Sequence, residues 1–474
     1  MLTYHINNKG ILPMYEQLYR AIREDIINGV IKGGEKLPSK RRLAEHLKIS
    51  QITVENAYSQ LLAEGYIVSK PRSGYYAEQI IEHNKKAKPI SYEIPKPKNE
   101  DYLYAFRTNT VDTECFPFSS WAKLLRSELT EKASKLLIAA PNQGVLELRQ
   151  QICRYLAEFR GIYAIPEQIV IGAGSEYLLM LLIQLLGRNR IYALENPCYP
   201  KLNNVFKANG ANVKPITLDK DGLKIDELEK NNASVVYLTP SHQFPLGIVM
   251  PVARRIKMLK WAEQTGDRYI IEDDYDSEFR YTSRPIPAMK ELDHYDRVIY
   301  LNTFAKSLAP SLRISYMVLP KSLLKKYRDE LRFYSSTVPS FEQYTLAKFI
   351  KTGMFERHIS RIRNLYKSRR DILLELLNKS AFSKFMEISG EDAGLHLMLT
   401  LKNGLSERQM VELAAQNGVH LHGISDYYIA ECEKKPNSTV VLGYAGLNED
   451  IMKKAVKCLE NAWTKFALCN YDEL

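Results

Sequence analysis

One stretch organises the chain around a single lysine: Thr303-Phe304-Ala305-Lys306-Ser307-Leu308-Ala309-Pro310-Ser311-Leu312-Arg313. An apolar strand is predicted at residues 297–302, so Lys306 stands just beyond a strand end. A lysine amine placed among apolar neighbours loses hydration, which lowers its pKa and lets it attack an aldehyde. Arg313 offers a planar guanidinium that suits a phosphate. Pyridoxal phosphate carries both an aldehyde and a phosphate, so the stretch favours a site for this cofactor.

Three further stretches supply groups that such a cofactor needs. Residues 269–275, Tyr-Ile-Ile-Glu-Asp-Asp-Tyr, form an apolar strand that runs into carboxylates and a phenol. A carboxylate there can keep a pyridinium nitrogen protonated, although acids on a loop that cap a helix would give the same pattern. Tyr199 can stack on the ring. The turn Gly172-Ala173-Gly174-Ser175 opens a predicted helix at 175–186, where free N–H groups favour a phosphate.

Composition limits the class of protein. The 474 residues should hold more than one domain, and a hydrophobic share of 45% suffices for sizeable cores. No apolar run approaches the ~20 residues that span a bilayer, and no signal peptide opens the chain. The six cysteines show no CxxC or CxxH spacing, which indicates reduced thiols and argues against a metal site. We therefore expect a cytoplasmic protein with no membrane partner.

The N-terminal residues carry a basic bias and a helical pattern. The net charge is +11, and residues 1–88 hold 14 Lys/Arg against 9 Asp/Glu, an excess of +5, which suggests a polyanionic partner. Helices are predicted at 14–28, 40–47 and 51–62, followed by a basic hairpin at 66–77. This order predicts a winged helix-turn-helix. Its third helix would enter the major groove of double-stranded DNA, and the hairpin would reach an adjacent groove or phosphate.

The N-terminal motif Leu-Pro-Ser-x-Arg-x-Leu-Ala at 37–44 resembles the GntR class of bacterial regulators, as does the run Ser-x-x-Thr-Val at 50–54. The resemblance implies DNA contacts from Ser39, Arg41, Ser50, Gln51 and Thr53, and from Arg72 and Gly74 at the wing tip. Family members often carry arginine in place of Gln51 and a basic residue in place of Glu55. Glutamine suits an adenine edge and glutamate a cytosine amine, so a different operator is expected.

The rest of the chain is predicted as a linker and one large α/β domain. The winged domain is placed at 1–78, a Pro- and Lys-rich linker at 79–100, and the large domain at 101–474. Short apolar strands alternate with helices from 168 to 319, which predicts a mainly parallel sheet with helices on both faces. Ligands collect at the carboxyl ends of such strands. A long helical stretch at 341–379 should lead to a small α+β subdomain at about 385–474.

Taken together, the stretches resemble the fold-type I aminotransferases, and the whole chain resembles the MocR/GabR subfamily of GntR regulators. Thr-Pro-Ser-His-Gln-Phe-Pro at 239–245 and Glu-Asp-Asp-Tyr-Asp-Ser-Glu-Phe at 272–279 carry that resemblance. It implies a pyridoxal phosphate domain with Lys306 as the Schiff-base lysine, Asp273 on the pyridine nitrogen, Tyr275 near O3′ and Tyr199 stacked on the ring, and with Gly174, Ser175, Thr303 and Arg313 on the phosphate. It also implies a head-to-tail homodimer.

The large domain also departs from the family pattern, at one position. Family members usually place an arginine, which takes a substrate carboxylate, where this chain has Gly446. Losing a charged partner of that kind forfeits ~1.5–3 kcal/mol, roughly ten- to a hundredfold in affinity. Lys201 is the candidate substitute for this arginine in the effector site. The alternative interpretation is that Lys201 is a solvated surface lysine. The effector is then expected to be an amine without a carboxylate there, or pyridoxal phosphate itself.

Three functions fit these observations. The first is a transcriptional regulator that binds DNA and senses pyridoxal phosphate or a small amino compound through its large domain. No residue of that domain is assigned a catalytic role. The second is a pyridoxal phosphate-dependent aminotransferase with an accessory DNA-binding module. The third is a DNA-binding scaffold whose large domain only dimerises. The missing arginine weakens the case for ordinary turnover, so the regulator is the preferred prediction.

Overall fold

The computed structural model describes residues 2–7, 12–79, 102–108, 110–131, 133–281, 287–431 and 436–469. The chain divides into two compact units, Met1–Asn99 and Glu100–Leu474. The predicted linker at 79–100 lies outside the described residues from residue 80 onward.

The first unit is a winged helix-turn-helix. It consists of α1 (Met14–Ile27), α2 (Lys40–Leu47), α3 (Gln51–Ala63), β1 (Ile67–Lys70) and β2 (Gly74–Ala77). Its core is built from the apolar faces of the three helices, with Leu18, Leu43 and Val54 fully buried. The strands pair antiparallel, and Ile67 and Ala77 close the core from the hairpin side. This is the fold that the sequence pattern predicted.

The second unit contains the remaining strands and helices. Its strands are β3 (Tyr104–Ala105), β4 (Ile169–Gly172), β5 (Ile191–Asn196), β6 (Asn212–Asp219), β7 (Gly222–Leu223), β8 (Val235–Leu238), β9 (Tyr269–Asp273), β10 (Val298–Thr303), β11 (Ser315–Val318), β12 (Met386–Ser389), β13 (His396–Leu401), β14 (Val419–His420), β15 (His422–Gly423) and β16 (Thr439–Gly443). Its α-helices are α4 (Phe118–Glu131), α5 (Ala133–Leu136), α6 (Leu146–Arg160), α7 (Ser175–Leu186), α8 (Pro200–Ala208), α9 (Ile225–Lys230), α10 (Val252–Glu263), α11 (Phe304–Ser307), α12 (Lys321–Leu331), α13 (Ser340–Lys351), α14 (Met354–Lys379), α15 (Glu407–Gln416) and α16 (Glu449–Cys469).

The large sheet has the strand order β4-β11-β10-β9-β8-β5-β6-β7. The pairs from β10 through β9, β8 and β5 to β6 are parallel, whereas β11 runs antiparallel to both of its neighbours. Side chains of successive strand residues enter opposite cores: Ile271 packs with α7 and α12, and Ile270 packs with α10. Helices therefore cover both faces, which confirms the predicted mainly parallel α/β architecture.

The C-terminal part of the second unit forms a smaller α+β layer. Its antiparallel sheet has the order β12-β13-β16-β15, and Leu397, Leu442 and Trp463 are buried between this sheet and its helices. The prediction of one long helical stretch at 341–379 was wrong in one respect. The stretch is two helices, α13 and α14, because the chain turns at Gly353, whose φ is +69°. A left-handed residue cannot continue a right-handed helix.

Candidate functional site

The carboxyl ends of the parallel strands meet at one cavity of about 260 Å³ in the second unit. Parallel strands present their carboxyl ends at the same sheet edge, and the register pairs Leu301 of β10 with Asp273 of β9. Every residue predicted for the cofactor and effector lines this cavity: Gly174, Ser175, Tyr199, Lys201, Asp273, Tyr275, Thr303, Lys306 and Arg313. The structure therefore brings together side chains that are up to 139 positions apart in the sequence, from Gly174 to Arg313.

Lys306 lies on the single turn α11 that follows β10. The Thr303 hydroxyl caps this turn by accepting a hydrogen bond from the Ala305 N–H at 3.1 Å. The Lys306 ammonium lies 3.4 Å from the Thr108 carbonyl oxygen. Burial lowers the pKa of Lys306 to about 8, and the nearby Asp276 carboxylate limits the decrease. About a tenth of this amine is thus uncharged at pH 7, far more than for an ordinary lysine, and able to act as a nucleophile.

The first turn of α7 and Arg313 form an anion cradle. The initial N–H groups of a helix have no acceptor within the helix and attract anions. Arg313 Nη2 lies 2.6 Å from Glu176 Oε2 and donates to the Ala173 carbonyl oxygen at 3.2 Å. Gly174 has a φ of +96°, and a Cβ atom built there would lie 2.2 Å from Arg313 Nη2. Glycine is therefore required at 174 both for the backbone angle and for the close approach of the guanidinium.

Glu176 is a site residue to which the sequence analysis gave no role. Its carboxylate pairs with Arg313 and also with Lys201, the predicted effector residue. Burial opposes ionisation of this carboxyl, but hydrogen bonds from Lys201 and Arg313 outweigh burial and lower the pKa of Glu176 to about 2. Lys201 and Arg313 thus share the Glu176 carboxylate, which places Lys201 beside the anion cradle. An acid directly after a Gly-Ser turn was the sequence signal that could have indicated this contact.

Asp273 ends β9 at the cavity wall. Its carboxylate accepts a hydrogen bond from the phenol of Tyr237, which lies at the corresponding end of β8. Burial raises the pKa of Asp273 to about 7, against the effect of that hydrogen bond. A cationic ring nitrogen next to this carboxyl would relieve the cost of ionising it. Tyr237 is therefore a second residue that the sequence analysis did not identify.

A buried polar chain lies behind the cavity. The Tyr275 phenol donates to the His242 backbone carbonyl at 3.2 Å, and His242 Nδ1 lies 2.8 Å from Asp276 Oδ2. His242 and Asp276 are each 3% exposed. The stretch 239–245 lines the cavity through Thr239 and Phe244, and the Phe244 ring meets the Tyr199 ring edge-on, with centroids 6.0 Å apart. Tyr199 is 40% exposed and forms an outer wall.

The residues predicted to contact DNA lie on α2, α3 and the hairpin. Two of the predicted hydroxyls cap helices: Ser39 accepts from the Arg42 N–H at 3.3 Å and Ser50 from the Thr53 N–H at 3.1 Å. Arg41 is exposed and pairs with Glu45. Gln51 is exposed at the first position of α3, and Thr53 is half-buried in the same turn. Arg72 and Gly74 form the hairpin turn, with φ values of +60° and +111°.

Within the residues that the structure describes, no helix is both long enough and apolar enough to cross a membrane. The same residues contain no group of three or more His, Cys, Asp or Glu side chains arranged to hold a metal ion.

Comparisons with known proteins match both units. Residues 106–459 match the family "Aminotransferase class I and II", and residues 14–76 match "Bacterial regulatory proteins, gntR family". The fold of the second unit is also found in the multiple substrate aminotransferase from Thermococcus profundus, with 27% identity, a TM-score of 0.67, and coverage of 78% of this chain and 92% of that one. Enzymes of this fold use pyridoxal phosphate.

Relatives with the same two-part organisation match almost the whole chain. The uncharacterized HTH-type transcriptional regulator YdeL of Bacillus subtilis (strain 168) is 42% identical, over 98% of this chain and 99% of its own. The probable rhizopine catabolism regulatory protein MocR of Rhizobium meliloti is 31% identical, over 95% and 94%. The HTH-type pyridoxine biosynthesis transcriptional regulator PdxR of Corynebacterium glutamicum is 29% identical, over 92% and 93%. The chain therefore belongs to the MocR-type family of GntR transcriptional regulators, which join a helix-turn-helix to an aminotransferase class I and II domain.

Proposed function

We propose that this protein is a transcriptional regulator that binds a double-stranded DNA operator through its first unit and pyridoxal phosphate through its second. The observation that supports the ligand is the convergence of a low-pKa lysine, an anion cradle and a buried carboxyl on one cavity. In this proposal residues 1–78 bind DNA, 79–100 link the units, and 101–474 bind the ligand. Because its partner is DNA, we expect the protein to act in the cytoplasm.

The residues of the cavity fit pyridoxal phosphate group by group. The cofactor would supply an aldehyde and an electron-withdrawing ring. Lys306 would hold the aldehyde carbon, and Asp273 would keep a proton on the ring nitrogen. Gly174, Ser175, Thr303 and Arg313 would bind the phosphate. Tyr275 would lie by the ring oxygen, and Tyr199 would cover one ring face.

The space beyond Lys306 supports an effector without a carboxylate. A second cavity there has a volume of only about 10 Å³, room for one water, and is lined by Thr108, Phe244, Tyr275, Asp276, Lys306, Leu395 and His396. Burial lowers the pKa of His396 to about 3, so this ring is neutral, and Lys306 is the sole Lys or Arg among the described residues that line this cavity. We infer that the effector is a small amine or pyridoxal phosphate itself, with Lys201 as its one additional cation.

Contacts inside the second unit offer a route by which the ligand changes the protein. The Asn196 side chain, just before Tyr199, accepts from the Ile429 N–H at 3.0 Å and donates to the Ala430 carbonyl at 3.2 Å. The Cys198 N–H donates to the Tyr427 carbonyl at 2.9 Å. The wall of the cavity is thus hydrogen-bonded to the C-terminal subdomain. A ligand that binds two arrangements of this subdomain unequally would shift their populations and with them the affinity for DNA.

A homodimer is supported by exposed apolar side chains. They are concentrated between residues 118 and 165: Phe118, Leu129, Leu137, Ile138, Leu146, Phe159, Tyr163 and Ile165. Exposed apolar side chains that form one contiguous patch are typical of an interface. We propose that two copies of the chain dimerise through this segment. The dimer would be head-to-tail, as the resemblance to the MocR/GabR subfamily implies.

An aminotransferase with an accessory DNA-binding module is the second candidate. It is supported by the low pKa of Lys306 and by the likeness of the second unit to solved aminotransferases. Steady-state transamination over a panel of amino acids separates the two functions. Many turnovers per site would favour the enzyme, whereas a single half-reaction would favour the regulator.

The test of the main proposal uses full-length protein and two lysine variants. We expect pyridoxal phosphate to give the wild type a new absorbance band and to change its operator affinity. Lys306→Ala should lose both effects, while Lys207→Ala, an exposed lysine on α8, should retain both. A wild-type protein that stays colourless in excess cofactor, or that binds no duplex DNA, would overturn the proposal.

A further inference from the structure

The start of α3 exposes an unusual pair of side chains for a DNA-binding surface. Ile52 is 69% exposed, although it lies on a helix whose Val54 and Ala57 are fully buried. Glu55 is an acid on the same helix, and its side chain is 49% exposed. Residues three apart on a helix are neighbours on one face. Ile52 and Glu55 therefore present an apolar group and a carboxylate side by side.

Lys40, the first residue of α2, holds Glu55 in place. Its Nζ lies 2.6 Å from Glu55 Oε1 and 5.5 Å from the centre of the Tyr75 ring in β2. The Tyr75 ring meets the Tyr58 ring of α3 edge-on, with centroids 5.1 Å apart. Glu55 raises the pKa of Lys40, which keeps the ammonium charged. Lys40 thus links α2, α3 and the hairpin around the Glu55 carboxylate.

Base chemistry assigns a partner to each exposed side chain. A glutamate accepts a hydrogen bond from the cytosine amino group in the major groove, and an apolar side chain contacts the thymine methyl. An uncompensated carboxylate near DNA would be repelled by the phosphates. Lys40 offsets this charge without covering Glu55, whose side chain remains half exposed. The acid can then be tolerated in the groove and used for recognition.

We propose that Glu55 selects a cytosine and Ile52 a neighbouring thymine in the operator, with Lys40 as the positioning residue that neutralises and orients Glu55. This inference rests on the proposed binding of duplex DNA by the first unit and adds its base specificity. Gln51, one turn before Glu55, would read a third base at the same groove.

The experiment selects bound sequences from random duplex DNA with the full-length protein. We expect the wild type to enrich a site with adjacent thymine and cytosine. Glu55→Gln should lower the preference for that cytosine about tenfold while total DNA affinity is kept or increased, because one negative charge is removed. Ile52→Ala should relax the thymine position and leave the cytosine position unchanged. Glu16→Gln is the matched control, since Glu16 forms a similar 2.6 Å ion pair with Arg20 on α1.

Lys40 variants test the positioning role. Lys40→Met should weaken binding to the selected site about tenfold or more, and adding Glu55→Gln should restore most of that loss, because the repelled carboxylate is then gone. Lys40→Arg should keep both affinity and cytosine preference, which separates charge pairing from a general loss of folding. Thermal unfolding of each variant accompanies the binding curves.

The outcomes separate this inference from the proposed function. A wild type that binds no DNA overturns the proposed function. A wild type that selects a site whose cytosine preference is unchanged in Glu55→Gln overturns the inference alone. Equal affinity loss in Lys40→Met and in the double variant overturns the positioning role of Lys40.

Discussion

Replacing Gly174 with alanine perturbs the anion cradle directly. The new Cβ atom would lie 2.2 Å from Arg313 Nη2 and 2.7 Å from Glu176 Oε2, distances that no real Cβ tolerates. The side chains of Arg313 and Glu176 are flexible and would move, whereas the backbone at 174 is fixed by β4 and α7. The substitution should therefore displace Arg313 from the first turn of α7.

The substitution has two effects, strain in the backbone and displacement of Arg313, and a variant at a second glycine separates them. An alanine at a φ of +96° strains the backbone by about 1–3 kcal/mol. Gly187, at the other end of α7, has a φ of +116° and nothing within 4 Å of its Cβ position, so Gly187→Ala carries the strain without the clash. A displaced Arg313 forfeits a charge-assisted hydrogen bond to the phosphate, about 1.5–3 kcal/mol, or roughly ten- to a hundredfold in affinity.

Two measurements test this reasoning. Chemical unfolding without ligand should show a loss of stability in both variants, at least as large in Gly174→Ala as in Gly187→Ala. Titration with pyridoxal phosphate, followed by absorbance and by competition with inorganic phosphate, should show weakened binding only in Gly174→Ala. Wild-type affinity in Gly174→Ala, or an equal loss of affinity in Gly187→Ala, would refute the assignment of Arg313 and α7 to the phosphate.

Two further predictions concern Asp273 and the dimer. The folded pKa of Asp273, about 7, exceeds the ordinary value of about 4, so ligand-free protein should lose stability as pH rises through this window, by at most about 1.4 kcal/mol per pH unit. Asp273→Asn should make that decline shallower in urea unfolding between pH 5 and 8, although burial also raises the pKa of Glu195, Glu272 and Glu278 to about 7; an unchanged slope would contradict the burial argument. Leu137→Glu, at an 82% exposed position, should shift the protein toward monomer in sedimentation, whereas Val252→Glu, at a 61% exposed position on α10, should not. Equal behaviour of the two would exclude the segment 118–165 as the interface.

The sequence predicted the fold well where strands are buried on both faces. β10 spans Val298–Thr303 against a predicted 297–302, and β9 spans Tyr269–Asp273, within the stretch 269–275 predicted as a strand running into carboxylates. Such strands are short continuous apolar runs, and their alternation with helices indicates a parallel sheet. The placement of Lys306 and Asp273 at strand ends follows from these runs.

Other features depend on contacts that no local pattern encodes. β11 runs antiparallel to β10 after a connection at 304–314 that includes Arg313, a non-glycine residue with a φ of +53°. The bond from Tyr237 to Asp273 joins residues 36 positions apart on neighbouring strands, and the Glu176 pairs with Lys201 and Arg313 require a packed cavity. Strand order and side-chain packing decide these contacts. The sequence could therefore predict some of the residues in the site but not the contacts between them.

The surroundings of Gly446 bear on the choice of ligand. A Cβ atom there would lie 2.9 Å from Thr110 Oγ1, so a larger side chain would have to displace this segment. The neighbouring guanidinium of Arg369 donates to the Ala445 carbonyl and lies 2.5 Å from Asp112 Oδ2. Both members of that pair are almost buried, and removing one partner of a buried ion pair costs about 3–5 kcal/mol. A ligand carboxylate would have to displace Asp112 from this almost buried cation, whereas a phosphate would compete with Glu176 for Arg313, whose side chain is 50% exposed, and would also meet the first turn of α7. The geometry therefore favours a ligand that carries its negative charge on a phosphate.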